Sequence, residues 1–378
     1  MCGAGAMVIG VPKEIKEAES RVAIIPAGVQ TLRARGHRVM VQRGAGVGSG
    51  LQDETYAKAG AELVADPKAI YGEADLIYKV KEPLSQECDL LREGQIVFTY
   101  LHLAPAPELT KVLLERRVVG LAYETVETRD GRKPLLEPMS DVAGRMAVHI
   151  GAHYLATPHG GRGVLLGGVP GVPPATVVIL GGGTVGANAA KVAAGMGAWV
   201  YLLDVDSARM RYLDEILPDN VTTLISNQMS IEECVRRADV LIAAVYIAGA
   251  RAPKLVTREM VKRMKAGSVI VDVAIDQGGC VETSRPTTHT DPVYKTDGIL
   301  HYCVANMPGA FARTSTFALT NVTLPYAIRL ADSGWRRAIV ESPELSLGLN
   351  VAFGHVTHPA VAKAHGVAYV PPEEAAKG

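Results

Sequence analysis

The run Thr176–Asp204, TVVILGGGTVGANAAKVAAGMGAWVYLLD, reads as a strand, a glycine turn, a helix and a second strand. From Thr176 to Leu180 every residue is β-branched or aliphatic, the pattern of a parallel strand buried on both faces. Gly181, Gly183 and Gly186 follow at G-x-G-x-x-G spacing. In such a turn the first glycine permits the bend, the second lets backbone approach a pyrophosphate, and the third lets helix pack on strand. The spacing predicts a helix over about Val185 to Met196, with its N-terminal N–H groups and positive dipole end facing the phosphates.

A glycine turn alone is a weak signal, and one that merely packs is the bland alternative. Against it stand the preceding strand, the Ala- and Val-rich helix, the second strand Trp199–Leu203, and Asp204 about 20 residues on. A carboxylate there accepts hydrogen bonds from both ribose hydroxyls and repels a 2′-phosphate, which favours NAD over NADP. Arg209 lies close enough to weaken that preference.

The chain has 378 residues, of which 48% are hydrophobic, enough for two cores of ordinary size. Its 39 basic residues balance 39 acidic ones without a basic stripe, which argues against nucleic acid or anionic membranes as partners and for small molecules. Cys2, Cys88, Cys234, Cys280 and Cys303 are odd in number and lack C-x-x-C spacing, as expected of reduced thiols in a cytoplasmic protein. Neither an 18-residue apolar run nor a signal-peptide pattern occurs, so a soluble protein is expected. MCGAGA, ahead of a second methionine, is expected to be a disordered extension. No cluster has metal-ligand spacing, and His355 with His358 reads as surface.

From Met7, the apolar runs MVIGVP, HRVMVQ, LIYKVK, QIVFTY and VVGLAYE alternate with segments of helical composition, predicting a second doubly wound domain. GAGVGSG, Gly44–Gly50, alternates its glycines and opens no helix, so it reads as a flexible surface loop. YETVETRDGRKPLLEP reads as a hairpin about Asp130-Gly131, and Ser140 as the cap of the helix DVAGRMAVHIGAHYLA. Beyond Asp204, NVTTLISN, ADVLIAAV, SVIVDVAID and ILHYCVAN complete a six-strand doubly wound sheet. The helical segments after Thr314 are too few for a third domain and are expected to return to the first. The resulting fold class is α/β, two doubly wound Rossmann-like domains with a cleft between them. The expected boundaries are 1–134 with 312–378 for a discontinuous substrate domain, and 135–311 for an NAD-binding domain.

Open α/β sheets bind ligands beyond the carboxyl ends of their strands. The polar residues there are Lys81 after LIYKVK, His102 after QIVFTY, Asp276 after SVIVDVA and Asn306 after LHYCVA. A cation suits a substrate carboxylate, a histidine can pass a proton, and an aspartate can orient water. Each also has a bland reading: His102 as a packing residue, Lys81 as a solvated strand end like Lys79, Asp276 as a loop cap, and Arg21 as a surface charge.

Taken together, VPKEIKEAESRVAIIPAGV, VKEPL, FTYLHLA, AYETVE, PLLEPMSDVAGRMA, GGVPGV, LGGGTVGANAA, VDVAIDQGGC, SRPTT and HYCVANMPG resemble the NAD-dependent L-alanine dehydrogenases, in that family's order and spacing. The likeness runs from Met7 to about Val370 and is loosest after Trp335. It implies reversible oxidative deamination of L-alanine to pyruvate and ammonium with reduction of NAD. By the same resemblance Arg21 and Lys81 bind the substrate carboxylate and carbonyl oxygen, His102 is the general acid/base, and Asp276 positions the attacking water. Ser140, Asp204, Arg209, Ser226 and Asn306 fall where the family contacts NAD, with Gly181, Gly183 and Gly186 beneath the pyrophosphate. Tyr100, Leu136 and Met139 are candidates to line a small side-chain pocket, and a homohexamer is implied. The alternatives are the NAD(H)-binding component of a nicotinamide-nucleotide transhydrogenase, a non-catalytic NAD-binding protein and, more distantly, a saccharopine-type dehydrogenase.

Overall fold

A computed structural model describes residues 5–245 and 251–377. Cys2 and most of the expected N-terminal extension lie outside the described residues. In chain order the strands are β1 (Val8–Val11), β2 (Arg38–Gln42), β3 (Glu62–Val64), β4 (Leu76–Tyr78), β5 (Ile96–Thr99), β6 (Val119–Ala122), β7 (Thr176–Leu180) and β8 (Trp199–Asp204). They continue with β9 (Val221–Ile225), β10 (Val240–Ala243), β11 (Val269–Asp272), β12 (Val293–Thr296), β13 (Ile299–Tyr302), β14 (Leu349–Ala352) and β15 (His355–Val356). The chain divides into two compact units, Met1–Met139 with Gly309–Gly378, and Ser140–Pro308.

The first unit holds a sheet in the order β3-β2-β1-β4-β5-β6-β14-β15, and the second a sheet in the order β9-β8-β7-β10-β11-β13-β12. Within each, the first six strands named are mutually parallel. β14, β15 and β12 run antiparallel to their neighbours. Both units are therefore α/β and doubly wound, and each reverses strand order once, between β1 and β4 and between β7 and β10. Those reversals are the crevices where such sheets take ligands. Strands β4, β5, β6, β10 and β11 are buried at every residue, which explains their unbroken apolar runs.

The segment Ala312–Glu341 is two helices, because Gly334 has φ 72° and ψ 155° and interrupts it. Leu319, Ala327, Leu330 and Ala331 join Ile9, Tyr78 and Phe98 in the first unit's core. Three threonines on its buried face are all hydrogen-bonded, as buried hydroxyls must be. Thr316 Oγ1 accepts from the Val22 N–H at 3.1 Å, Thr320 Oγ1 donates to the Ala23 carbonyl at 3.0 Å, and Thr323 pairs with the Tyr78 hydroxyl.

Several local expectations are corrected. β3, β12, β14 and β15 carry no clear strand signal: β3 has three residues, β12 is a half-exposed edge, and β15 has two residues. Residues 125–135 form no hairpin; the Thr128 N–H donates to the Arg132 carbonyl at 2.9 Å and closes a turn without flanking strands. Ser140 is not the residue at which the helix begins: the turn in which the Glu137 N–H donates to the Lys133 carbonyl starts it earlier, at Glu137. Gly44–Gly50 is not a loose loop but a packed turn containing a short 3-10 helix, Val47–Ser49. Its Ser49 is buried, with Oγ donating to the Ser20 carbonyl at 2.9 Å, and a Cβ on Gly48 would press within 2.7 Å of Ser20.

Candidate active site

The glycine turn after β7 has the three distinct environments that its spacing demands. Gly181 has φ 98°, a left-handed backbone that glycine adopts without strain, and a Cβ there would lie 2.8 Å from the Ala244 carbonyl oxygen. A Cβ on Gly186 would overlap the Gly181 carbonyl oxygen, so the helix Thr184–Gly195 can sit this close only on a glycine. Gly183 differs from both: a Cβ there would meet no atom within 4 Å. The backbone at Gly183 thus faces open space at a helix N-terminus, the arrangement that accommodates a pyrophosphate. Packing does not require that glycine.

Asp204 ends β8 and is already tied into the turn. Its Oδ2 accepts the Gly182 N–H at 2.5 Å and its Oδ1 the Asp206 N–H at 2.9 Å. An ionised carboxylate has about four lone-pair sites, so acceptor capacity remains for ribose hydroxyls. Arg209 Nε donates to the Gly182 carbonyl at 2.7 Å, which turns this residue to the support of the same turn. The Ser226 N–H donates to the Asp204 carbonyl at 2.8 Å, placing Ser226 at the end of the neighbouring strand β9. Ser140 lies in the first turn of the helix Glu137–Leu155. That helix meets the fingerprint helix closely at Gly144, where a Cβ would overlap the Val185 carbonyl oxygen.

Asp276 is exposed in the short helical turn Val273–Gln277 directly after β11. Its setting depends on Asp272, a residue that sequence reasoning missed. Asp272 is fully buried and accepts the N–H groups of Cys280 at 3.0 Å and Val281 at 3.2 Å. Burial pushes its carboxyl above the usual aspartate range. These bonds fold Gly278 and Gly279, both left-handed, back against the strand end, while Asp276 stays exposed. Asn306, at φ 62°, accepts a hydrogen bond at its carbonyl from His289 Nε2 at 3.1 Å.

In the first unit, Arg21 is not a surface charge but is buried. Its Nε and Nη2 donate to the two Glu19 oxygens at 2.7 and 2.5 Å, and Nη1 reaches Met139 Sδ at 3.1 Å. Burial opposes its charge, yet Glu19 more than offsets this and holds its pKa above the ordinary arginine value. Lys81 follows β4 at the strand-order reversal. Burial first, and then the charge of Arg21, lower its pKa below the ordinary lysine value. Lys79, by contrast, is no solvated strand end: it is fully buried and ion-paired with Glu87 at 2.6 Å and Glu14 at 3.2 Å.

His102 follows β5 with its side chain 45% exposed, so it is not a packing residue. Its φ is 49°, a strained value for a non-glycine residue. The Glu124 carboxylate holds it there, accepting the His102 N–H at 2.6 Å and the Leu101 N–H at 3.3 Å. The imidazole stacks on Tyr100 with 5.8 Å between centroids and 8° between planes. Tyr100 is buried, with its hydroxyl donating to the Leu135 carbonyl at 2.6 Å. Glu124 was also missed; its signal was its place in AYETVE just beyond β6, the strand beside β5.

The first unit therefore brings Arg21, Lys81 and His102 to the carboxyl ends of its strands. The second does the same for the glycine turn, Asp204, Ser226, Asp276 and Asn306. Two family models match successive stretches of the chain. The alanine dehydrogenase/PNT N-terminal domain matches residues 10–143, and the alanine dehydrogenase/PNT C-terminal domain residues 147–359. The chain belongs to the alanine dehydrogenase/PNT family. An alanine dehydrogenase of Methanococcus maripaludis is 58% identical over 98% of this chain and 99% of its own length. A solved L-alanine dehydrogenase is 50% identical, with a TM-score of 0.93 over 95% of this chain and 99% of that one. A transhydrogenase from Sinorhizobium meliloti shares the architecture at 26% identity, with a TM-score of 0.79 over 93% of this chain and 99% of that one. Among the described residues no group of histidine, cysteine and carboxylate side chains could hold a metal ion, and no helix is long and apolar enough to cross a membrane.

Proposed function

We propose that this protein catalyses the reversible NAD-dependent oxidative deamination of L-alanine to pyruvate and ammonium. The observation that carries the reading is the near end-to-end likeness to alanine dehydrogenases, at about twice the identity shared with the transhydrogenase. In this reading residues 135–311 bind NAD and the remainder, 1–134 with 312–378, binds the substrate.

When bound, NAD accepts a hydride from the substrate Cα. Arg21 and Lys81 bind the carboxylate and the carbonyl oxygen, with Arg21 aimed by its bidentate Glu19 pair. His102 exchanges the proton, and the grip of Glu124 on its backbone fixes where its imidazole begins. Asp276 orients the water that attacks after hydride transfer. Ser140, Asp204, Arg209, Ser226 and Asn306 contact NAD. Tyr100, Leu136 and Met139 limit the side-chain pocket. One methylene discriminates by only about 1–3 kcal/mol, so 2-aminobutyrate is turned over slowly. A cytoplasmic homohexamer is the working state.

The test follows NADH absorbance with the purified protein, pyruvate and ammonium. Ammonium-dependent loss of NADH that fails with NADPH or 2-oxoglutarate supports the reading. Binding of NADH without consumption, coupled to hydride exchange with a second nucleotide, would transfer the protein to the transhydrogenase component instead.

A further inference from the structure

A buried group of charges packs against the segment that carries Lys81. Lys79 Nζ bridges Glu14 Oε2 at 3.2 Å and Glu87 Oε1 at 2.6 Å, and all three side chains are buried. Each carboxylate uses its other oxygen on backbone. Glu14 Oε1 accepts the Val80 N–H at 2.7 Å and the Lys81 N–H at 3.4 Å, while Glu87 Oε2 accepts the Leu84 N–H at 2.9 Å. The Tyr123 hydroxyl donates to the Lys79 carbonyl at 2.8 Å, and Thr99 Oγ1 to the Lys81 carbonyl at 2.9 Å. The loop from Lys79 to Leu84 is therefore pinned on both sides of Lys81.

Stability alone is a weak reason for this arrangement. Burying one ammonium and two carboxylates carries a large desolvation cost, and apolar replacements of such groups often fold as well or better. What charges provide and apolar side chains do not is a fixed direction for particular backbone N–H groups. Here those groups belong to the segment that carries Lys81.

We propose that Lys79, Glu14 and Glu87 are positioning residues for substrate, forming a clamp that sets the register of residues 80–84 and so places the Lys81 ammonium where the substrate binds. The proposal rests on the role of Lys81 in the function above and adds residues that never touch substrate. Glu14→Gln is the sharpest probe, because it keeps an acceptor for the Val80 N–H while removing the charge that faces Lys79. Glu87→Gln loosens the other limb and serves if the first variant fails to fold.

The experiment measures KM for pyruvate and for NADH, and kcat, in the full chain, in Glu14→Gln, in Lys81→Met and in the double variant. The clamp predicts that Glu14→Gln raises KM for pyruvate about 10-fold with KM for NADH within about twofold, since small misplacements of a binding group are costly. It further predicts that Glu14→Gln adds less than about twofold once Lys81 is already Met, because coupled residues are not additive. A merely structural role would lower thermal stability and active fraction without moving KM for pyruvate, or would act equally in the Lys81→Met background. Either result overturns the clamp. Normal turnover with an unaltered KM in Lys81→Met also overturns it, whereas absence of turnover in the unaltered protein removes the functional reading and the clamp with it.

Discussion

The Glu124 carboxylate accepts the backbone N–H of His102 at 2.6 Å, and His102 holds a left-handed φ of 49°. A non-glycine residue in that region costs about 1 kcal/mol or more, which surrounding contacts must supply. Glu124→Ala removes the acceptor and lets the backbone at His102 relax. The expected result is a fall in kcat of about 10-fold with KM for NADH unchanged, and Glu124→Gln, which keeps an acceptor, restores most of it. Steady-state kinetics of the two variants decide the matter.

His102→Ala deletes the proposed acid/base without disturbing the core, because its imidazole stands out from the strand end. Turnover is expected to drop by about 10² to 10⁴, while NADH binding followed by fluorescence is retained. Near-normal turnover would take His102 out of the mechanism.

The fingerprint glycines separate fold from ligand. Gly186→Ala drives a methyl into the Gly181 carbonyl and is expected to destabilise the second unit, seen as a lowered Tm. Gly183→Ala adds a methyl to open space, so Tm holds while KM for NAD rises by about 10-fold or more. Equal effects of the two variants on Tm would contradict this division.

Lys81, in its proposed role, is expected to set an alkaline limit on substrate binding. Its pKa lies below the ordinary lysine value of 10.5, through burial first and the charge of Arg21 second. The ammonium is therefore lost as pH rises through a value below 10.5, and KM for pyruvate is expected to climb in that range. The sign for stability is opposite: protonated Lys81 costs the fold something below its folded pKa, and deprotonation relieves that cost. Lys81→Arg keeps its charge throughout, so in that variant the alkaline rise in KM should vanish.

Both doubly wound sheets were legible in the sequence because their central strands are buried on both faces and leave unbroken apolar runs. The glycine turn was legible because each of its three glycines answers a separate local demand. What escaped depends on partners distant in sequence. Lys79 reads as a strand-end cation until Glu14 and Glu87 are folded against it. Residues 44–50 read as a loose loop because Ser20 and Thr316, which hold Ser49, lie far away in the chain. Asp272 and Asp276 are indistinguishable as letters, and only the backbone bonds to Cys280 and Val281 show which is buried and which is presented.

Strand β6 is buried along its whole length, pairing β5 on one side and β14 on the other. Because β14 begins at Leu349, a ribosome must deliver all of Ser140–Pro308 before the strand that closes the first unit's sheet emerges. Throughout that interval the nascent chain displays an apolar, unpaired edge, the feature most prone to edge-to-edge association. Biosynthesis of this protein is thus most vulnerable during translation of its second unit, although the exposed surface belongs to its first.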